Sequence, residues 1–220
     1  TSTAYAFTGS PTSAAYSSAY GLYYIGASKA GGSLHYSTNG VTWVASGNAS
    51  VNYTSIATGP TRTVAVRNNS SITYNSDGAG KVFTTVTVGT ATWTYVAYGN
   101  SIFLAAATST ITTSTNGSTW DTTNPTSPTG NTLLALYFSA GYFYVSDNQG
   151  NLYATTNGIT WTTMESTTAT YITYGLIDYT NTLYEFQWAN SNNIRIRQGT
   201  NSTNIPSAYY LYRAGIGTLT

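Results

Sequence analysis

The 220-residue chain contains no cysteine, which excludes disulfides, thiolate catalysis and zinc–thiolate sites together. Only 6% of its residues are charged, against about 25% in ordinary soluble domains, and its formal net charge is +1. This charge balance offers no basic surface for nucleic acid. The sequence also lacks the run of about 20 apolar residues that a membrane-spanning helix needs. We therefore expect no nucleic-acid partner, no membrane insertion and no cofactor.

Uncharged polar and aromatic residues take the place of the missing charge. Aromatic side chains make up 15% of the sequence, and 21 residues are tyrosine. Enough apolar area is therefore present to bury a core, so the chain is not expected to be disordered. A surface solvated by hydroxyls and amides suggests an extracellular or virion-surface location, on composition alone.

One short turn is written three times, as STNGVTW (37–43), STNGSTW (114–120) and TTNGITW (155–161). Asn-Gly between β-branched and aromatic residues predicts a hairpin with a two-residue type I′ loop, which needs positive φ at both residues. A degenerate copy, YNSDGAGKVF, follows the same plan with a longer loop. We predict that each closing aromatic lies on the returning strand and is mostly buried against the adjoining strand or blade. The repeat hairpins comprise Ser37, Asn39, Gly40, Trp43, Asp77, Gly78, Phe83, Ser114, Asn116, Gly117, Trp120, Thr155, Asn157, Gly158 and Trp161.

The closing aromatics are spaced by 40, 37 and 41 residues. Short strand-like segments recur in the same order before each turn; in the third unit they are TWTYVAYG, SIFLAAAT and TITTST, followed by STWDT. A unit of about 40 residues with four strands is typical of one β-propeller blade. A fifth unit, YITYGLI, TLYEFQW, NIRIRQG and AYYLYR, lacks the turn.

The repeat predicts an all-β single domain over 1–220, a five-bladed β-propeller of four-stranded antiparallel blades. The predicted blades span 10–46, 50–87, 91–124, 130–164 and 169–213. The segments AYAFT near the start and SAYYLYR near the end are left over from the regular count. We expect one of them to supply the strand that closes the ring.

The turns resemble the Asp-box (BNR) repeats of sialidase-like propellers, whose pattern is Ser-x-Asp-x-Gly-x-Thr-Trp. This chain has Asn at 39, 116 and 157 and one residue fewer before Gly, the shortened form seen in secreted and phage-tail proteins. The resemblance covers four of the five units. It implies turns between the third and fourth strands of each blade, at the periphery and away from the usual binding face.

Active sialidases of the family that these turns resemble use three arginines from separate blades, a Tyr–Glu pair and a further acidic residue. Here Arg62 and Arg67 share one predicted strand, as do Arg195 and Arg197. None of these four, nor Arg213, is expected to open the innermost strand of a blade, where the triad would converge. Glu185, which alternates with aromatics, has no second carboxylate at a defined separation. We predict no catalytic residue and no enzyme activity; a degenerate sialidase-like glycosidase is the weakest alternative.

Metal binding is not expected either. His35 is the one histidine and is predicted to lie on a strand surface, because a single His cannot form a metal cluster. The segment DNQGN (147–151) offers one carboxylate where calcium loops supply several, and is therefore predicted to be a turn.

In a propeller, the loops between strands two and three gather on one face with the connections between blades. Amides near an aromatic ring suit sugar recognition, although Asn-rich loops are also ordinary turn chemistry. The candidate ligand face comprises Lys29, Arg67, Asn68, Asn69, Asp147, Asn148, Gln149, Trp188, Asn190, Asn192 and Asn193, together with the DTTNPTSPTGNT insertion.

These features favour a non-enzymatic structural or attachment module. Such a module would belong to a phage or virion (tail, spike or decoration) or to a secreted adhesin. Its expected partners are host-surface glycans or other proteins of an exterior assembly, contacted by many displayed copies. A soluble carbohydrate-binding lectin is the alternative.

Overall fold

A computed structural model describes residues 9–28, 33–47, 51–123 and 125–164 with their side chains. For residue 165 and the ranges 171–179, 182–189, 193–198 and 201–206 it describes the backbone alone. All named elements in these ranges are strands, and every strand pair is antiparallel, which confirms the all-β antiparallel prediction. The described residues include no helix long and apolar enough to span a membrane.

The first two sheets each contain four strands that pair in chain order. Sheet one is formed by β1 (Ser10–Ser17), β2 (Leu22–Ser28), β3 (Leu34–Ser37) and β4 (Val44–Ala45). Sheet two is formed by β5 (Tyr53–Thr58), β6 (Thr63–Arg67), β7 (Ser71–Asn75) and β8 (Phe83–Thr87). Each sheet therefore corresponds to one repeat of the sequence.

The later sheets follow the same order, with three strands in sheet three and four in each of the others. Sheet three is formed by β9 (Tyr95–Gly99), β10 (Ile102–Ala106) and β11 (Ile111–Ser114). Sheet four is formed by β12 (Leu133–Ser139), β13 (Tyr142–Asp147), β14 (Leu152–Thr155) and β15 (Thr162–Glu165). Sheet five is formed by β16 (Tyr171–Tyr179), β17 (Thr182–Ala189), β18 (Asn193–Gln198) and β19 (Asn201–Pro206).

Two predicted strands are corrected by these assignments. In sheet three, STWDT forms no regular fourth strand; a single bridge joins Thr113 to Asp121, whose carboxylate then accepts hydrogen bonds from Thr123 and turns the chain. In sheet five, the fourth strand is β19 rather than AYYLYR, because Gln198 pairs with Asn201 across a two-residue connection. AYYLYR and AYAFT lie outside the described residues.

The first strands of successive sheets contact one another, β1 with β5, β5 with β9, β9 with β12 and β12 with β16. They are therefore the innermost strands of a radial arrangement, as in propeller blades. Serine hydroxyls at equivalent positions link β1 to β5 and β5 to β9. Ser13 Oγ accepts a hydrogen bond from the N–H of Ile56 at 3.0 Å, and Ser55 Oγ accepts one from the N–H of Val96 at 3.2 Å.

Three hydrophobic clusters fill the spaces between consecutive sheets one to four. Sheets three and four each contribute an aromatic pair, Tyr98–Phe103 and Phe138–Phe143, with ring centroids 4.7 and 4.8 Å apart. The first pair packs on Gly59, which follows the innermost strand of the preceding sheet, and Phe138 packs on Gly99 in the same way. Glycine is needed there because a Cβ would overlap the rings.

Sheet one carries the same aromatic pair, Tyr16–Tyr23, with centroids 4.7 Å apart. These side chains remain 51% and 42% exposed, whereas Phe103 and Phe143 are buried. The face of sheet one that points away from sheet two thus has the chemistry of a sheet-packing face and is not fully covered.

The Asn-Gly turns share one set of hydrogen bonds but are not type I′ hairpins. Positive φ occurs at Gly40, Gly117 and Gly158 (71°, 73° and 74°) and not at the preceding asparagines. In the first copy, Ser37 Oγ accepts from the N–H of Gly40 at 2.9 Å, and Asn39 Oδ1 accepts from the next two N–H groups. Side-chain acceptors thus replace strand pairing, and residues 38–43 form a six-residue loop.

The closing aromatics differ in burial: Phe83 is a core residue at 7% exposure, as predicted, whereas the three tryptophans are partly covered and do not belong to the core. Trp43, Trp120 and Trp161 are half-buried and precede the returning segment instead of lying within it. Among the tryptophan side chains that the structure describes, the fully buried indole is that of Trp93, in the connection to sheet three, and its N–H donates to the carbonyl of Val88 at 2.9 Å.

Candidate functional site

The turns between strands two and three occupy equivalent positions in sheets two and four. Arg67 ends β6 and Asp147 ends β13, as the repeat predicts. Each turn is fixed to the segment before its innermost strand: the N–H of Asn68 donates to the carbonyl of Asn52 at 3.2 Å, and that of Asn148 donates to the carbonyl of Thr132 at 2.8 Å. The residues that follow Asn68 and Asn148 are therefore held in equivalent positions on the two sheets.

The exposed groups on these turns are amides. Asn68, Asn69 and Gln149 are exposed, whereas Arg67 and Asn148 are half-buried. The Nε atom of Arg67 is buried and has no hydrogen-bond partner among the described residues. This surface offers donors and acceptors with a single nearby cation.

Asp147 lies beneath this surface. Its side chain is fully buried, and Oδ1 accepts from the N–H groups of Gln149 and Asn151 at 3.0 and 2.9 Å. Oδ2 accepts from the amide nitrogens of Asn131 and Asn151 at 2.9 and 3.0 Å. Burial opposes ionisation, but these hydrogen bonds outweigh it and lower the pKa of Asp147. Asp147 thus shapes the turn, and it cannot contact a ligand as the sequence predicted.

Several predicted face residues cannot be compared with the structure. Lys29, Asn190 and Asn192 lie outside the described residues, and Trp188 and Asn193 are described in backbone alone, in β17 and β18. The insertion between sheets three and four is described except at position 124.

The remaining titratable groups form no constellation within the described ranges. Asp77 accepts hydrogen bonds from the N–H groups of Lys81 and Val82 and so stabilises its own turn. The prediction that His35 lies on the surface is wrong: it is buried on β3 beside Ser33, and burial lowers its pKa. No group of three His, Asp or Glu residues suited to a metal occurs among the residues described.

Two open grooves occur among the described residues, and neither is lined by the turns between strands two and three. One, of about 350 Å³, lies along the innermost strands and is lined by β5, β9 and β12 together with Ala15. The other, of about 380 Å³, lies at the outer rim between residues 86–89 of sheet two and Ser118, Thr119, Trp120 and Thr122 of sheet three. No sequence pattern predicted the rim groove, because it depends on the irregular fourth segment of sheet three.

Radial antiparallel sheets around innermost strands define a β-propeller domain. Residues 83–208, more than half of the chain, match the DUF6242 beta propeller domain. The chain belongs to that family. No curated protein matches the sequence significantly.

Solved structures with the same fold have very different sequences. YCF48 from Cyanidioschyzon merolae is 10% identical with a TM-score of 0.66, over 92% of this chain and 73% of that one. Virginiamycin B lyase from Staphylococcus aureus is 12% identical with a TM-score of 0.70, over 89% and 69%. A chain of a nidogen/laminin complex is 11% identical with a TM-score of 0.64, over 87% and 79%. At this identity the similarity describes the fold alone.

Proposed function

We propose that this propeller is a non-enzymatic attachment module of an exterior assembly, such as a phage tail, a virion or a secreted surface protein, and that it contacts host-surface glycans. The observation that carries the proposal is the pair of equivalent turns exposing Asn68, Asn69 and Gln149 beside Arg67. Amides present a donor and an acceptor in one plane, which suits the adjacent hydroxyls of a sugar.

The low charge of the chain supports the same role. Affinity that does not depend on long-range charge is modest at each site and gains from many linked copies. An assembly that displays the domain repeatedly supplies that multiplicity. Binding is then expected to change little between low and moderate salt, because few charge pairs are screened.

The test is attachment of a multivalent display to a glycan array, comparing wild type with the double variant Asn68→Ala and Gln149→Ala. Neither side chain makes a hydrogen bond within the part of the chain that the structure describes, so the fold should be unaffected. Thr61→Ala, on an exposed turn at the opposite end of the strands, is the matched control. Loss of attachment in the double variant alone supports the proposal, and no attachment by wild type overturns it. Tight binding by the isolated monomer would instead favour a soluble lectin.

We further infer that the turns are shortened Asp-boxes. Oδ1 of Asn39, Asn116 and Asn157 accepts from the two N–H groups after the glycine, a role that a carboxylate oxygen could equally take. Asparagine makes the same contacts without adding charge.

The ring is proposed to have five blades, closed by sheet five against the Tyr16–Tyr23 face of sheet one. In sheets three and four the turn glycine packs on the preceding sheet: Gly117 lies against Val64, and Gly158 against Leu104. A Cβ added at Gly40 would meet nothing within 4 Å among the described residues. The pairing register gives Tyr184 of β17 the position that Leu104 takes in β10, so Tyr184 is the expected neighbour of this turn.

Because the chain has no native cysteine, closure can be tested by one engineered disulfide. Val41→Cys with Tyr184→Cys should cross-link within a single chain. Val82→Cys, on the equivalent turn of sheet two, with Tyr184→Cys should not. A cross-link between two chains, or equal cross-linking by both pairs, would contradict five-bladed closure.

A further inference from the structure

The three repeated tryptophans differ in how their indole N–H groups are used. Trp43 Nε1 donates to the carbonyl of Gly40 at 3.2 Å, and Trp161 Nε1 donates to the carbonyl of Thr126 at 2.7 Å. Trp120 Nε1 is buried and has no partner among the described residues. A buried donor without a partner is costly, so this ring lacks a hydrogen bond that its counterparts have and would gain from a new acceptor.

Trp120 lines the rim groove, which is open because the chain that follows Trp120 is irregular. After Trp120 the chain is joined to β11 by the isolated bridge between Thr113 and Asp121 and by a hydrogen bond from Thr112 Oγ1 to the Asp121 carbonyl. Among the described residues, sheet three therefore lacks the regular outer strand that the other sheets have. The space between this segment and the outermost strand of sheet two, β8, remains open.

The lining of the groove combines apolar and hydroxyl groups and carries no charge. Val86, Val88 and the indole provide apolar surface, while Thr87, Ser118 and Thr119 provide hydroxyls. Its volume of about 380 Å³ falls at the small end of the roughly 300–1,000 Å³ usual for ligand sites. An uncharged groove with an aromatic wall matches a neutral sugar, which has an apolar ring face and a hydroxyl edge.

We propose that this groove is a second, separate binding site for a neutral saccharide. The Trp120 ring packs on the apolar face of the sugar, and a small rotation lets its N–H donate to a sugar hydroxyl. The threonine and serine hydroxyls satisfy the rest of the hydroxyl edge. The choice of a sugar as ligand rests on the glycan contact in the proposed function. The residues that line the rim groove are nevertheless distinct from those of the candidate ligand face.

The probe is the set of indole N–H resonances of the ¹⁵N-labelled protein, titrated with D-glucose, D-galactose and N-acetyl-D-glucosamine. One resonance should shift at millimolar sugar, and it should be the one that disappears in Trp120→Phe. That variant keeps an aromatic ring but loses the donor, so affinity for the responsive sugar should fall about 3- to 10-fold. Trp161→Phe, which removes a structural hydrogen bond at the equivalent position, should leave the affinity unchanged.

The outcomes separate the two sites. No response from any indole, a response from Trp43 or Trp161 instead, or unchanged affinity in Trp120→Phe overturns the rim site. A shift with N-acetylneuraminic acid but with no neutral sugar also overturns it, as does a shift only with an extended peptide along β8. If Asn68→Ala with Gln149→Ala leaves glycan attachment intact while Trp120→Phe weakens it, the candidate ligand face fails and the rim site stands.

Discussion

The ring of Phe138 lies directly against Gly99, the last residue of the innermost strand in the preceding sheet. Phe138 also packs against Phe143, with the ring planes tilted by 57°, so the ring has little room to withdraw. This contact sets how closely sheets three and four approach each other.

Gly99→Ala should therefore destabilise the fold. A methyl group would overlap the Phe138 ring, and overpacking of this kind costs about 1–3 kcal/mol. The measurement is the free energy of unfolding in urea. Gly130→Ala is the matched control, because a Cβ at that position meets nothing within 4 Å and should leave the midpoint unchanged. Equal effects of the two variants would contradict the close approach of the sheets.

The buried indole of Trp93 should matter more for stability than the repeated tryptophans. Trp93 is 1% exposed, so Trp93→Ala is expected to cost about 3–5 kcal/mol. Trp43→Ala should cost clearly less, because its indole is only half-buried and has less apolar contact to lose. Urea unfolding of both variants checks the order, and a larger loss in Trp43→Ala would reverse the interpretation of the core.

The repeated turns should depend on an acceptor oxygen and not on the amide as such. Asn116 Oδ1 accepts from the N–H groups of Ser118 and Thr119 at 2.9 and 2.8 Å, so Asn116→Ala should cost about 1–3 kcal/mol. Asn116→Asp keeps the acceptor and should remain close to wild type at neutral pH. If the Asp variant loses as much stability as the Ala variant in thermal unfolding, the acceptor explanation is wrong.

Asp147 should make the stability depend on pH in the acid range. Its folded pKa is lowered, so its ionised form adds stability above the unfolded value of about 3.9. That contribution is lost as the pH falls through the folded pKa. Asp147→Asn should be less stable than wild type at neutral pH, and the difference should shrink on acidification.

Urea unfolding at several pH values measures that difference. A gap between wild type and Asp147→Asn that stays constant with pH would show that Asp147 does not act through its charge.

The repeat allowed the sheets to be predicted because each unit buries the same kind of strand on both faces. The spacing of Trp43, Phe83, Trp120 and Trp161 indicated one sheet for each unit. It did not indicate how deeply the three tryptophans are buried. A tryptophan after a polar turn gives no indication of whether a neighbouring sheet reaches it, and here the covering is partial.

Side-chain hydrogen bonds account for most of what the sequence did not reveal. Asn-Gly predicts a tight hairpin by backbone preference, yet Ser37 and Asn39 supply acceptors that hold a wider loop. Asp147 looked like a surface residue because its key donor, Asn131, lies 16 residues earlier in the chain. The loop positions were predictable from the repeat, whereas the burial of one member was not.

The contact between Gly99 and Phe138 also has a consequence for how such chains can change in length. A sheet can follow any sheet of the same kind if it carries a small residue on the face toward the following sheet and an aromatic pair on the face toward the preceding sheet. Compatibility is then a property of each unit and its nearest neighbour, as in other repeat proteins. Duplication of sheet three would place Gly99 against a second copy of the Tyr98–Phe103 pair, which is the same kind of junction, so one more sheet could be added without a new kind of contact.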